Sequence, residues 1–335
     1  MLGLFAVTGR AADTFSTTTR PAPIARVVTV TDRYATDAYQ PVPERIQPMV
    51  DRGITKLTGK PTTAEAWLSL VTTQDIIGIK VYSRPGPNTG TRPEVAAAVA
   101  RGLIAAGVPP KQIIIWDKYD VDLHEAGYFA LAQLLGIRVT GSVASGYDLT
   151  NFYDTPLLGN LVWGDVEFGK TGDGLGRRSY VSKLVSQEIT KIINLTPLLN
   201  HNAAGVSGNL YGLAVGSVDN TLRFEADATR LAKAVPELYA LPSVGDKVVL
   251  SITDALICQY EGGQRGLLHY STVLNQLRFS RDPVALDMLS IKELDRQRRT
   301  TKSPYIKPNF DLYANAAFLD LGVNDVTHIQ VETVK

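Results

Sequence analysis

Residues 76–117 read IIGIKVYSRPGPNTGTRPEVAAAVARGLIAAGVPPKQIIIWD, and this stretch decides the fold. Ile76 to Tyr82 is a β-branched run of strand character. The polar loop Ser83 to Gly90 ends it, and a helix is expected over Arg92 to Ala106. Thr91 stands as its N-cap, with Glu94 three residues on completing a capping box, and Gly107 closes it. Ile113 to Trp116 is a second short apolar run that stops at Asp117. Strand, helix and strand in succession make one parallel crossover unit.

The alternation extends in both directions. Upstream, Ile24 to Thr31 reads as a strand, followed by helical spacing with Pro interruptions over Pro41 to Val71. Downstream come a helix over Val121 to Leu135 and a strand over Ile137 to Thr140. The pattern then resumes with helix Val181 to Glu188, strand Lys191 to Leu199, helices Gly208 to Val218 and Ala228 to Val235, and strand Lys247 to Ile252. Helices Pro283 to Arg298 and Asn309 to Leu319 and a strand Thr327 to Glu332 complete it. The predicted fold is α/β, a mostly parallel sheet with helices on both faces. Residues 141–180 hold no sustained period and are rich in Gly, Tyr, Trp and Asn, so they are expected to form an inserted hairpin or lobe. Residues 24–335 then make a single domain, with residues 1–23 as a tail or signal remnant.

Composition narrows the function classes. Among 335 residues, 44% are hydrophobic, enough for a large core. The 34 Lys and Arg balance 33 Asp and Glu, so no bulk positive field holds a nucleic acid by counterion release. The lone Cys258 excludes an intrachain disulfide and an iron–sulfur cluster ligated by this chain alone. No apolar run reaches the roughly 18–20 residues that cross a bilayer as a helix. Met1 to Thr8, with Ala11-Ala12 before Asp13, has the look of the tail of a secretory signal, although a basic n-region is missing. The expectation is a periplasmic or exported protein, with the cytoplasm as the alternative.

Ligands of open parallel sheets gather at the carboxyl ends of strands, so polar residues that follow apolar runs are the candidates. Lys80, Asn88, Thr89 and Thr91 follow the first such strand, where the loop's N–H groups suit an anion. Asp117 and Asp254 end two more strands, and Asn200-His201-Asn202 follows a third. Alone, each Asp reads first as a helix cap; together with His201 they suit a divalent ion such as zinc, manganese or iron, or acid–base work. Asn209, Asp219 and Asn220 are placed to position a substrate or simply to form a polar helix face. Gly172 to Gly176 has the outline of a phosphate loop but no strand runs into it. Gly205-Val-Ser207-Gly-Asn209, followed by Asp254 and His269, approaches a hydrolase order, but Asn209 replaces the final Gly of the nucleophile elbow. Tyr260 to Gly263 and His269-Tyr270 are placed to form a lid over the Asp254 strand.

These segments together resemble the bacterial domain of unknown function 362 family. The matching pieces are Gly78-Ile-Lys80-Val, Thr91-Arg-Pro-Glu-Val95 with the strand ending in Asp117, the Asn194 to Asn209 stretch with its His, the Val248 to Asp254 strand, and Arg281-Asp-Pro-Val-Ala-Leu-Asp287. The resemblance implies an α/β domain of unestablished activity, often exported behind a twin-arginine signal, with ferredoxin-type cysteine clusters in some relatives. This chain departs in having Cys258 alone, and Leu199 stands where many relatives carry a lysine two residues before the His. Asp282, directly before a proline, reads as an N-cap, whereas Asp287 lies among apolar neighbours and needs a partner.

The resulting expectation is a metal-assisted enzyme acting on a small polar or anionic substrate. Asp117, His201 and Asp254 are its catalytic candidates, and Lys80, Asn88, Thr89, Thr91, Asn202 and Asn209 its substrate-binding ones. Asp117, His201, Asp254 and Asp287 are the candidate metal ligands. The alternative is a non-catalytic ligand- or metal-binding accessory protein of the cell envelope.

Overall fold

The computed structural model describes residues 23–156, 159, 161–169, 176–304 and 307–335. The signal-like N-terminus and most of the Gly172 to Gly176 loop lie outside them. Eight strands run across the main sheet in the spatial order Ile329–Val334, Ala25–Thr31, Ser271–Ser280, Val248–Gln259, Lys191–His201, Ile77–Lys80, Ile113–Asp117 and Arg138–Gly141. Gly205–Val206 adds a short ninth strand, antiparallel to the end of Lys191–His201. Along the main path only Ser271–Ser280 runs against its neighbours; all the other pairings are parallel. The fold is therefore α/β with a mostly parallel sheet.

The side-chain alternation of the strands explains the layers. Ile113 and Ile115 face one core, shared with the helices Pro43–Thr58 and Pro93–Ala105. Ile114 and Trp116 face the other, shared with the helices Asn209–Ser217 and Ala228–Tyr239. A strand buried on both sides has no polar face to offer, hence its unbroken apolar run. The Ala-rich helix Pro93–Ala105 packs closely because Gly102 leaves room for Trp67, whose Nε1 a Cβ there would meet at 2.5 Å.

From Ile77–Lys80 the chain crosses to a helix on the first face, and from the adjacent Lys191–His201 to helices on the second. These two strands form the topological switch point, where a crevice opens at their carboxyl ends. Pairing sets Trp116, Lys80, Asn194 and Ser251 in one row across the four central strands. Lys80, Asp117 and His201 thus end their strands along one edge, whereas the strand expected to close at Ile252 runs on to Gln259 and leaves Asp254 inside it.

Several expectations are corrected. Thr91 does not cap its helix: Arg92 occupies the N-cap position without a side-chain bond. The Thr91 hydroxyl instead accepts from Tyr82 N at 2.9 Å and donates to Leu195 O at 2.9 Å, tying the two switch-point strands together. The helix expected over Val121 to Leu135 is two, Asp120–Glu125 and Tyr128–Leu135, parted at Gly127 with φ 89°. Residues 181–188 begin instead in the strand Arg178–Ser182 and continue as a single wide helical turn, Leu184–Glu188. Arg178–Ser182 pairs with Tyr147–Asp154 as a hairpin outside the main sheet, the expected insertion. Ser271–Ser280 is a further strand with a weak signal in the sequence, because Asn275 interrupts the apolar positions Val273, Leu277 and Phe279.

Candidate functional site

Lys80 ends a buried strand, and its side chain has no route to water. Its Nζ donates to Asp117 Oδ1 at 2.7 Å and to Val81 O at 2.6 Å. The other carboxylate oxygen, Asp117 Oδ2, accepts from Ser83 N at 2.8 Å and Ser83 Oγ at 2.7 Å. Burial lowers the proton affinity of Lys80, and the charge of Asp117 opposes that shift.

Asp254 is satisfied in a separate network. Its Oδ2 lies 2.9 Å from Arg92 Nη1 and accepts from Arg92 N at 3.1 Å, while Oδ1 accepts from Leu256 N at 3.2 Å. Arg92 also donates from Nη2 to Asn88 O at 2.9 Å, so Asn88 contributes its backbone while its side chain is exposed. Thr89 is buried beside Gly266.

Asp287 forms a third network. Oδ1 accepts from Asn209 N at 2.7 Å and Asn209 Nδ2 at 3.0 Å, and Oδ2 accepts from Leu210 N at 3.0 Å. It caps the Asn209–Ser217 helix from a distant helix, Pro283–Thr301. Burial raises its pKa to about 7 although the three donors pull it down. Asp282, as expected, caps its own helix by accepting from Ala285 N at 2.8 Å.

His201 lies apart from these carboxylates. Its Nδ1 accepts from Ala203 N at 3.2 Å and Ala204 N at 3.0 Å, and its ring meets Tyr211 at 4.2 Å between centroids. Burial, helped by the charge of Arg84, lowers its pKa to about 4. The neighbouring amides interlock, Asn200 Nδ2 donating to Asn202 Oδ1 at 3.0 Å, and Asn200 Oδ1 accepts from Gly263 N at 3.0 Å. The expected lid is thus tied to the His201 loop.

The four residues anticipated as one metal centre occupy separate networks. Asp117 and Asp254 lie three strand spacings apart, roughly 14 Å. Asp254 meets the helix of one face and Asp287 the helix of the other. Among the described residues no group of three or more His, Cys, Asp or Glu is placed to hold a metal ion. Nor does a hydrogen bond join Ser207 to His269 or His269 to Asp254 among the described residues, and Asp254 is held by Arg92 instead. Burial raises the pKa of Cys258, which leaves it an unreactive core thiol.

What the edge does offer is a cleft of about 490 Å³ above the Asp117 strand. Asp117 and Lys118 line it, as do Tyr82 and Tyr211, whose rings meet edge to face at 6.4 Å, and the charged residues Arg84, Asp122 and Glu225. Lys118 Nζ donates to Thr221 Oγ1 at 2.9 Å; burial lowers its pKa against the pull of Glu225, Asp165, Asp219 and Asp117. Asp122 is raised to about 6, by burial first and then by the charge of Asp117. Asp219 behind the cleft accepts from Tyr180 N at 2.6 Å and Val166 N at 2.8 Å, so it anchors the insertion, which lends Trp163 to the rim. Lys118 adjoins the strand-ending Asp117 and Asp122 lies in the next helix, but neither stands in a motif that marks it in the sequence.

An open, mostly parallel sheet with helices on both faces defines an α/β protein. The chain belongs to the family described as Domain of unknown function (DUF362), whose family model matches residues 77–292, more than half of its length. Curated proteins give no match. Among solved structures, a crystal structure of a protein from Thermotoga maritima is similar at 11% identity and a TM-score of 0.43, over 81% of this chain and 62% of that one. This chain thus spans less than two thirds of that protein's length.

Proposed function

We propose that the protein is an enzyme that binds a small polar or anionic molecule in the cleft above the Asp117 strand and moves a proton with Lys118 and Asp122. The observation that carries this reading is an amine and a carboxyl in one cleft, both displaced toward neutral pH: Lys118 downward, Asp122 up to about 6. Groups that exchange protons near the working pH are the useful acid–base catalysts, and paired displacements of this kind concentrate in active sites. Arg84, exposed at the rim, attracts an anionic end, while Tyr82, Tyr211 and Trp163 supply flat walls. A cleft of about 490 Å³ suits a small molecule.

Asp117 acts here by holding Lys80 and Ser83 rather than as a free base. Asp122 and Glu225 line the cleft without an ion pair among the described residues, so a divalent ion entering with the substrate meets these two carboxylates. The satisfied state of Asp117 and Asp254 favours a second reading, a non-catalytic ligand- or metal-binding accessory protein of the cell envelope.

One set of measurements separates the two. Small carboxylates and phosphates are screened for binding by ligand-dependent melting shifts and for turnover by NMR, with metal content measured on protein purified without chelator. Turnover that disappears in Lys118→Met and Asp122→Asn while binding persists supports the enzyme. Binding without turnover supports the accessory protein, and turnover that survives both substitutions together with binding that survives Arg84→Gln removes the cleft from both readings.

A further inference from the structure

A second cavity, of about 570 Å³, opens where the Pro283–Thr301 helix crosses the sheet face made by the Ala25–Thr31, Ser271–Ser280 and Ile329–Val334 strands. It shares no residue with the cleft above the Asp117 strand. Strand pairing sets Thr333, Thr29 and Arg278 side by side across its floor. The helix lays Lys292, Arg296 and Arg299 along its wall, four and then three residues apart and so on one face.

Four cations therefore surround this space, and Glu293 is the carboxylate among its lining residues. Glu293 is already engaged: it accepts from Arg296 at 2.7 and 3.1 Å and from Gln297 at 2.7 Å, and it approaches Arg278 only to 4.0 Å. Lys292 and Arg299 are both exposed, and neither has an ion pair among the described residues.

Arg278 is the decisive residue. It is only 7% exposed, yet its Nε and Nη2 share one neutral acceptor, Gln276 Oε1, at 3.3 and 3.0 Å. Its Nη1 makes no hydrogen bond among the described residues. A guanidinium taken from water and offered an amide and a distant carboxylate is poorly compensated, and an anion in the cavity supplies what is missing. Basic residues near a helix C-terminus offset its dipole, which accounts for Arg299. That argument does not reach Arg278, which comes from a strand.

We infer that this cavity binds a small polyanion bearing phosphate or carboxylate groups, with Arg278 at its floor and Lys292, Arg296 and Arg299 along its wall. Thr29 and Thr333 add hydroxyl donors beside Arg278, the mixture that oxyanions accept.

Titration calorimetry of the full chain with pyrophosphate, and separately with citrate, tests this. Saturable one-site binding of either is expected, and the tighter of the two names phosphate or carboxylate as the recognised group. Arg278→Gln should weaken it roughly tenfold or more, the loss of one charge-assisted hydrogen bond. Because a buried arginine also supports the fold, the exposed Lys292→Gln and Arg299→Gln are measured beside it, and both should weaken binding at an unchanged melting temperature. Arg84→Gln, in the other cleft, should leave this binding intact. No saturable binding of either anion, or binding lost in Arg84→Gln but kept in Lys292→Gln and Arg299→Gln, overturns the assignment.

Discussion

Lys80 donates to Asp117 across 2.7 Å directly beneath Gly216, where a Cβ would stand 2.2 Å from Lys80 Cε. The pair joins the ends of two neighbouring parallel strands, and the Asn209–Ser217 helix closes over it because that position bears no side chain. Lys80 is wholly buried and Asp117 is 5% exposed, so neither charge is relieved by water. Such a pair is held by its own geometry, and each member is costly without the other.

Lys80→Met should therefore destabilise the protein by about 3–5 kcal/mol, since it strands a buried carboxylate. The double change Lys80→Met with Asp117→Leu should recover part of that loss, the remainder being the Ser83 N–H and hydroxyl that lose their acceptor. Denaturant unfolding of the three proteins measures it, and a double variant no more stable than the single one would refute the buried-charge account.

Asp287 leads to a pH prediction. Its pKa is about 7 in the fold against an ordinary 3.8, so between these values the folded chain binds the proton that the unfolded chain has released. The contribution is full below pH 3.8 and is lost as pH rises through 7. Asp287→Asn removes this dependence and sets an amide N–H against the Leu210 N–H, at a cost of about 1–3 kcal/mol. Unfolding free energies between pH 4 and 8 should slope less steeply in Asp287→Asn than in the parent chain; equal slopes would mean that Asp287 stays ionised throughout.

The parallel sheet was legible because strands buried on two faces must be apolar throughout, as in Ile113 to Trp116, and because Asp282-Pro283 can hardly be other than a helix start. The candidate site was legible only as an edge. Asp117 does end its strand, whereas Asp254 lies inside Val248–Gln259, and their cations lie 37 and 162 residues away in sequence, where no local pattern announces such partners. Thr91 shows the same limit: its capping signal is genuine, yet the hydroxyl finds better use bridging Tyr82 and Leu195. Ser271–Ser280 was harder to see because Asn275 interrupts its apolar positions Val273, Leu277 and Phe279, leaving only a short alternation.

His201 is predicted to be a neutral, structural imidazole. Its Nδ1 accepts two backbone N–H groups, which requires that nitrogen to be unprotonated, and its pKa of about 4 lies below the ordinary 6.5. Its contribution to stability is present above pH 6.5 and is lost as pH falls through 4. His201→Ala should cost about 1–3 kcal/mol by leaving the Ala203 and Ala204 amides without acceptors. Bound metal, measured on the same preparation, should not change. An NMR titration that moved the His201 ring signals between pH 6 and 7 would contradict this protonation state.

Lys118 offers the most direct examination of the cleft. A lysine whose ammonium is destabilised by burial carries a larger fraction of free amine at neutral pH than a surface lysine, and the free amine is the nucleophile. Its side chain lines the cleft, so a small reagent can reach it. At pH 7, limiting trinitrobenzenesulfonate should modify Lys118 ahead of exposed lysines such as Lys292, as peptide mapping by mass spectrometry would record. Asp122→Asn should alter the pH dependence of that labelling near pH 6, because it removes the carboxyl that ionises there in the same cleft. Labelling of Lys118 no faster than that of Lys292 would mean that its ammonium is as stable as one in water, and Lys118 would then lose its place as a proton-transfer group.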